Sequence, residues 1–244
     1  MSEQEYSPSG NPIYRYENRT SKDFIPTIGD GASIHAISTH IEKHVGTPDI
    51  VFHEIVSDIV HIDVHWVKPT GKFPFHMFVT SGMSDKPMTV PEGLEELKYA
   101  ELCIFLPNDW AIGQQEFKDE NNYWPVRWLR KVARFPHEYG TWVGFGHTIP
   151  NGGNAEPFAA NTKFGCMMLF PSLSMHDGFD ELKVNDEKTI RFYCLFPLYK
   201  EEMELKLKKG TNALIDQFKK FRVTDIVDIK RPNTCKKKGL FGLW

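Results

Sequence analysis

His61, Asp63 and His65 stand at every second position of the stretch VHIDVHW. Two imidazoles flanking a carboxylate are the residue types of a metal site or an acid–base cluster. Strand geometry limits what they can do together. Side chains at i, i+2 and i+4 share one face of a strand. The three would therefore form a row, while Val60, Ile62, Val64 and Trp66 take the apolar face. At ~3.4 Å per residue, His61 and His65 would lie ~13 Å apart on a flat strand, against ~2.1 Å for a zinc–nitrogen bond. One ion can hardly join them without a bend, and an i, i+2 pair would need ligands from elsewhere.

The turn signal KPTGK predicts a hairpin of Ile59–Val67 with Phe73–Thr80. With Pro69–Lys72 as the loop, Lys68 faces Phe73, His65 faces His76, Asp63 faces Phe78 and His61 faces Thr80. This register predicts a His61/Asp63/His65/His76 cluster. Three readings of it stand open: a polar ladder in which Asp63 bonds an imidazole or a backbone amide, a partner-binding face, and a metal- or histidine-dependent hydrolase. A one-residue slip would undo the register.

Three further stretches offer polar groups at turns. TSGMSDKPM holds Thr80, Ser81, Met83 and Asp85 around Gly82, and reads as a structural turn or a partner-binding loop. Serine catalysis with His61 as base lacks its usual frame, because Gly-x-Ser-x-Gly is absent. FGHTIPNGG, with His147, is glycine-rich but matches neither a P-loop nor a dinucleotide fingerprint. PNDW places Asp109 and Trp110 where a central strand leaves the sheet, a common position for a binding crevice. The alternative there is a Trp folded back under the next helix.

The elements that must position these groups follow from periodicity. Ile34, Ile37, Ile41 and Val45 make one stripe of a helix that Asp30 or Ser33 can cap and Gly46 can end. His35, His40 and His44 lie off that stripe and are expected in solvent. YAELCIFLP reads as a buried central strand, and FGCMMLFP and TIRFYCLFP as two more. NNYWPVRWLRKVARFP predicts a helix capped by Asn121 or Asn122, with Pro125 in its first turn and Pro136 as its limit. Its apolar face is Trp124, Trp128, Leu129, Val132 and Phe135. LYKEEMELKLKKG predicts a helix with Glu202–Lys206 and Glu204–Lys208 pairs, closed by Gly210. Thr211 can cap a last helix burying Leu214, Phe218 and Phe221. The fold class is α/β (α+β), a single domain with a mixed, largely antiparallel sheet and helices packed on it. Residues 1–29 are an expected extended lead-in, 30–222 the domain, and 223–244 a basic and apolar C-terminal tail.

Composition narrows the function. A net charge of −3 argues against nucleic acid as the main partner. From Tyr199 to Trp244 twelve Lys+Arg face six Asp+Glu, a net of +6 that leaves −9 on the first 198 residues. Intramolecular docking of this basic end is the plain expectation, and an anionic partner or membrane surface the sharper one. Cys103, Cys166 and Cys194 lie in apolar runs without Cys-x-x-Cys spacing and read as buried thiols of a reducing compartment. The polar start lacks a secretion signal and no run approaches the ~20 apolar residues of a membrane span. A cytoplasmic protein without a membrane partner, metal or other cofactor is expected.

Several stretches together resemble the suppressor-of-fused family: HIDVHWVKPT, FVTSGMSDKPMTVPEG, AELCIFLPNDW, YWPVRWLRKVARFPHEYGTWVGFGHTIPNG and IRFYCLFPLYKEEMELKLKKG. They follow in order within a resemblance that spans roughly Ile34 to Phe221, and the likeness is to the compact bacterial members. The resemblance implies a mixed α/β fold and a non-catalytic role. It implies immunity proteins that neutralise a polymorphic toxin, as in many bacterial members, or regulators that grip a transcription-factor peptide, as in animal members with an extra region. The leading expectation is a protein-binding domain, plausibly an immunity protein. Its candidate contacts are His61, Asp63, His65, His76, Thr80, Ser81, Met83, Asp85, Asp109, Trp110 and His147. A hydrolase built on the histidine cluster and a peptide-binding regulator stand as alternatives.

Overall fold

The computed structural model describes residues 4–16, 29–54, 57 and 59–236. Two short strands, β1 (Glu5–Tyr6) and β2 (Pro12–Ile13), pair as a small hairpin in the expected lead-in. Helix α1 (Gly31–His44) follows, with the Asp30 side chain accepting from Ala32 N. The sheet is then laid down as β3 (Ile50–Phe52), β4 (Asp63–Val67), β5 (Phe75–Ser81) and β6 (Ala100–Pro107). Helix α2 (Glu120–Tyr139) leads to β7 (Thr148–Pro150), β8 (Phe164–Phe170), β9 (Glu181–Lys183) and β10 (Thr189–Tyr199). Helices α3 (Lys200–Lys209) and α4 (Thr211–Phe221) close the regular structure.

The strand order is β3-β4-β5-β6-β10-β8-β7, with β9 on the end of β10. Every pairing is antiparallel except β6 with β10. The mixed, largely antiparallel α/β expectation thus holds. Both faces of the sheet are covered, which explains the continuous apolar runs. Along β6, Leu102, Ile104 and Leu106 enter one core with Trp124, Trp128, Leu129 and Val132 of α2. Cys103 and Phe105 enter the other with Ile37 and Ile41 of α1 and Leu214 and Phe218 of α4. The three thiols expected in the interior are buried there, and burial pushes Cys166 up to about 12.

Several local expectations are corrected. The α2 cap is Asp119, whose carboxylate accepts from Asn121 N, so Pro125 falls in the second turn. The helix does not stop at Pro136 but runs to Tyr139, where Gly140 takes φ +60. A helical proline forfeits one hydrogen bond, and here Pro136 is itself buried in the packed face. His40 is buried rather than solvated, with Nε2 2.9 Å from the Phe179 carbonyl and its ring stacked on Phe192. The last helix is preceded by Gly210 without a side-chain cap, and Phe221 stays 40% exposed.

The C-terminal segment docks as expected, by contacts that local spacing does not suggest. Glu202 does not pair with Lys206. It is fully buried and receives both Nη atoms of Arg231, at 2.7 and 2.6 Å, together with Thr234 N and Oγ1. Lys206 instead reaches Thr148 Oγ1. Asp225 accepts from Leu173 N and Ser174 N, and Val227 N donates to the Phe105 carbonyl. The aromatic end Leu240–Trp244 lies outside the described residues. Among the described residues, no helix is long and apolar enough to cross a membrane.

Candidate functional site

The hairpin forms, but its register differs from the expected one by three residues. Asp63 faces Ser81, His65 faces Val79 and Val67 faces Met77. The loop is longer than Pro69–Lys72, because β5 begins only at Phe75, after Pro74. An odd shift exchanges faces. His65 lies on the face of Val67 and Val79, toward α1, whereas His76 lies on the face of Trp66 and Phe78, toward α2. The four-residue cluster is therefore not formed. The row is not solvent-facing either, since Asp63, His65 and His76 are all buried.

Each histidine has a local account. The Trp66 indole donates to His76 Nδ1 at 3.2 Å, so His76 Nε2 carries the proton and reaches the Asn108 carbonyl. Burial holds its pKa below the ordinary value. His65 Nε2 lies 2.9 Å from Ser81 Oγ, and its Nδ1 has no partner among the described residues. Burial drives His65 down to about 4, so it is neutral at pH 7.

The carboxylate of Asp63 is the true focus. Its Oδ2 lies 2.9 Å from His53 Nδ1, and its Oδ1 lies 3.1 Å from His61 Nε2 and accepts from Glu54 N at 3.0 Å. Glu54 turns the other way, accepting from Ser57 Oγ, Ile62 N and Arg134 Nη2. Two acids thus staple the segment between β3 and β4 through its backbone amides. His53 is 71% exposed at this rim and His61 partly so.

The TSGMSD turn is built against the same segment. Gly82 has φ +101, and a Cβ there would sit 1.8 Å from the His61 carbonyl oxygen. Only glycine permits that approach. Glu101, a lone acid in the apolar strand β6, is completely buried beneath the turn. It accepts from Thr80 Oγ1 at 2.6 Å, Ser84 N at 2.9 Å and Ser84 Oγ at 2.7 Å. Burial pushes its pKa up to about 7 against those bonds. Met83 is buried and its carbonyl lies 2.8 Å from His137 Nε2 of α2. Asp85 accepts from Asp30 N, and burial raises its pKa.

The remaining candidates lie apart. Asp109 is exposed. Trp110 is folded back, its Nε1 donating to the Asn122 carbonyl at 2.9 Å and its ring edge-on to Trp124. His147 packs against Trp142, and burial, then the charge of Lys206, takes it down to about 4. His53, Glu54, Ser57, Glu101 and His137 were not singled out by spacing. Glu101 alone carried a sequence signal, as a charged residue inside a strand of otherwise buried type.

The string Ser57–His61–Asp63 has the residue types of a nucleophile, base and orienting acid. Its geometry does not serve that chemistry. Ser57 is buried, its hydroxyl proton is directed to Glu54, and His61 Nδ1 is a long 3.4 Å away. Among the described residues, no three His, Cys, Asp or Glu side chains form a metal-ligand group. The imidazole nitrogens nearest Asp63 are occupied by its oxygens. Asp63, His65, His76, Thr80, Ser81 and Met83 have no surface to offer a partner in this conformation. The accessible rim is His53, His61, Lys86 and, further off, Asp109, with Asp85 half-buried beside it and its Oδ1 covered.

Comparison with known proteins supplies the remaining context. The family model of the suppressor of fused protein (SUFU) matches residues 58–232. A crystal structure from Neisseria gonorrhoeae FA 1090, described as a SUFU homologue, superposes with a TM-score of 0.61 at 17% identity, covering 84% of this chain and 98% of that one. The Sufu–Fu complex structure gives a TM-score of 0.59 at 13% identity, over 83% and 92%. Drosophila Suppressor of Fused gives 0.54 at 13% identity, over 83% of this chain but 51% of that one. No curated protein matches.

Proposed function

The chain belongs to the suppressor-of-fused family, and on that premise we propose that it is a non-catalytic protein-binding domain, acting in the cytoplasm as an immunity protein that neutralises a toxin. The observation that carries the non-catalytic part is the state of its polar groups. Asp63, Glu54 and Glu101 spend their oxygens on backbone amides, hydroxyls and neighbouring side chains of the same turns. Groups so committed hold a surface in shape and are not free to move a proton to a substrate. A complex bearing the name of a family member, the Sufu–Fu complex, supports protein binding as the mode.

In this reading the buried candidates are positioning residues. His61, Asp85 and Asp109 remain as contacts, joined by His53 and Lys86. Asp63 and Glu54 fix the backbone that presents them, and residues 30–222 form the working domain. The acidic body would steer a basic partner toward it.

The test is co-expression with the product of any toxin-like reading frame found beside this gene. Protection of growth and a stable complex on gel filtration are expected. The complex should weaken at least tenfold with His53→Arg, which sets a fixed cation against a basic partner. Absence of both protection and complex rejects the immunity role. Hydrolytic activity that disappears with His61→Ala would instead favour the catalytic alternative.

A further inference from the structure

The exposed face of α2 carries Arg127, Arg130, Lys131 and Arg134, at the i, i+3, i+4, i+7 spacing of one helix stripe. With Tyr123, Glu54 and Glu138 they line a groove of about 340 Å³. Two of the four cations are neutralised internally. Arg127 pairs with Glu120 and Arg134 with Glu54.

The other two are not. Arg130 gives Nη2 to the Phe52 carbonyl at 2.7 Å, and its Nη1 lies 3.4 Å from Tyr123 OH. Its Nε is buried with no partner among the described residues. Lys131 sits 4.4 Å over the ring of the buried Trp128. Partial desolvation of its ammonium, then the neighbouring charge of Arg127, disfavours the charged form, and Glu138 partly offsets them. Among the described residues neither cation lies within ion-pair distance of a carboxylate. A carbonyl and a ring face supply no counter-charge, and Glu138 only partly offsets Lys131, so an anion bound in the groove that both line would relieve them. This is a positive groove on a body whose first 198 residues carry −9.

We infer that this groove takes an acidic, extended segment of the protein partner, whose carboxylates meet Arg130 and Lys131. The planar guanidinium matches a carboxylate. The groove borders the edge strand β3, whose Phe52 carbonyl Arg130 already holds, and Ile50, on the same face two residues away, is 45% exposed. That edge gives an extended chain an apolar neighbour. The acids Glu54 and Glu138 in the same lining, and the chain's net charge of −3, disfavour a continuous polyphosphate and so favour a peptide over a nucleic acid. The inference rests on the protein-binding reading and names one contact of the partner.

The experiment is fluorescence anisotropy on the full chain with a labelled twelve-residue Asp/Glu-rich peptide and its Asn/Gln counterpart. The acidic peptide is expected to bind at least tenfold more tightly, and to weaken as salt is raised. Lys131→Glu, an exposed position whose folding a melt confirms, should lower its affinity at least tenfold. Arg130→Gln should do the same, whereas Lys118→Glu, outside the groove, should not. Equal affinity for the two peptides, or an affinity untouched by Lys131→Glu, overturns the inference. So does tighter binding, through Lys131, of phosphatidylserine vesicles or an oligonucleotide. Any of these results leaves the toxin co-expression outcome intact, so failure of the groove and failure of the binding reading are told apart.

Discussion

Glu101 sets a measurable pH dependence on the fold. It is completely buried, and burial raises its pKa from 4.5 to about 7. Between those two values the native chain holds a proton that the unfolded chain has released. The native state therefore binds more protons, and stability falls as pH rises through this window. Each pK unit is worth about 1.4 kcal/mol, so the shift corresponds to roughly 3 kcal/mol lost above pH 7 relative to pH 4. Glu101→Gln removes the titration while keeping an acceptor for Ser84 N and Oγ, and Thr80 Oγ1 can turn its proton to the Leu102 carbonyl 3.4 Å away. The variant should match wild type at pH 4 and exceed it at pH 8 by about 3 kcal/mol, or about 6–12 °C in Tm for a chain of this size. Urea titrations of both proteins at pH 4, 6 and 8 give the difference, which cancels every other titrating group. A variant whose advantage does not grow with pH would refute the assignment of a protonated, buried Glu101.

Three more outcomes follow from the same structure. His65 titrates in the opposite sense: its pKa falls from 6.5 to about 4, so the native state loses stability as pH drops through that range. In urea melts His65→Gln should gain about 2 kcal/mol on wild type between pH 7 and pH 5. Gly82→Ala places a Cβ 1.8 Å from the His61 carbonyl oxygen at φ +101, and should cost about 3 kcal/mol or more by thermal melt. A loss below about 1 kcal/mol would mean the turn relaxes freely. Arg231→Ala leaves Glu202 buried without its cation and should cost about 3–5 kcal/mol, part of it restored by adding Glu202→Gln; no restoration would show that the pair's charge is not what matters.

Much of the architecture was legible because it rests on local rules. Continuous apolar runs such as ELCIFL and FGCMMLF marked strands buried on both faces, and the stripe of Ile34, Ile37, Ile41 and Val45 marked α1. The site was legible only in part. VHIDVHW and TSGMSD do meet, as their hairpin placement suggested, and Asp63 does bond an imidazole and a backbone amide. Which imidazoles meet it depended on register. Register follows from how long the turn is and where Pro74 lets β5 begin, and that is settled by packing of both strand faces at once. His53, Glu54 and Ser57 reach the site only through a chain reversal between β3 and β4 that carries no spacing signature.

The sequence by itself determined the fold class, the buried thiols, the central strand and the family likeness, because hydrophobic period and glycine or proline placement act within a few residues. Tertiary structure alone decided which charges are used and which are left over. Glu202 could have paired with Lys206 one turn away, yet it pairs with Arg231, since a buried carboxylate needs a planar cation and several donors converging from elsewhere. Among the described residues, the same selection leaves Arg130 and Lys131 without a carboxylate at ion-pair distance. No reading along the chain separates those two cations from Arg127 and Arg134, because the acids that neutralise the latter lie two turns back at the start of α2 and in the distant segment after β3.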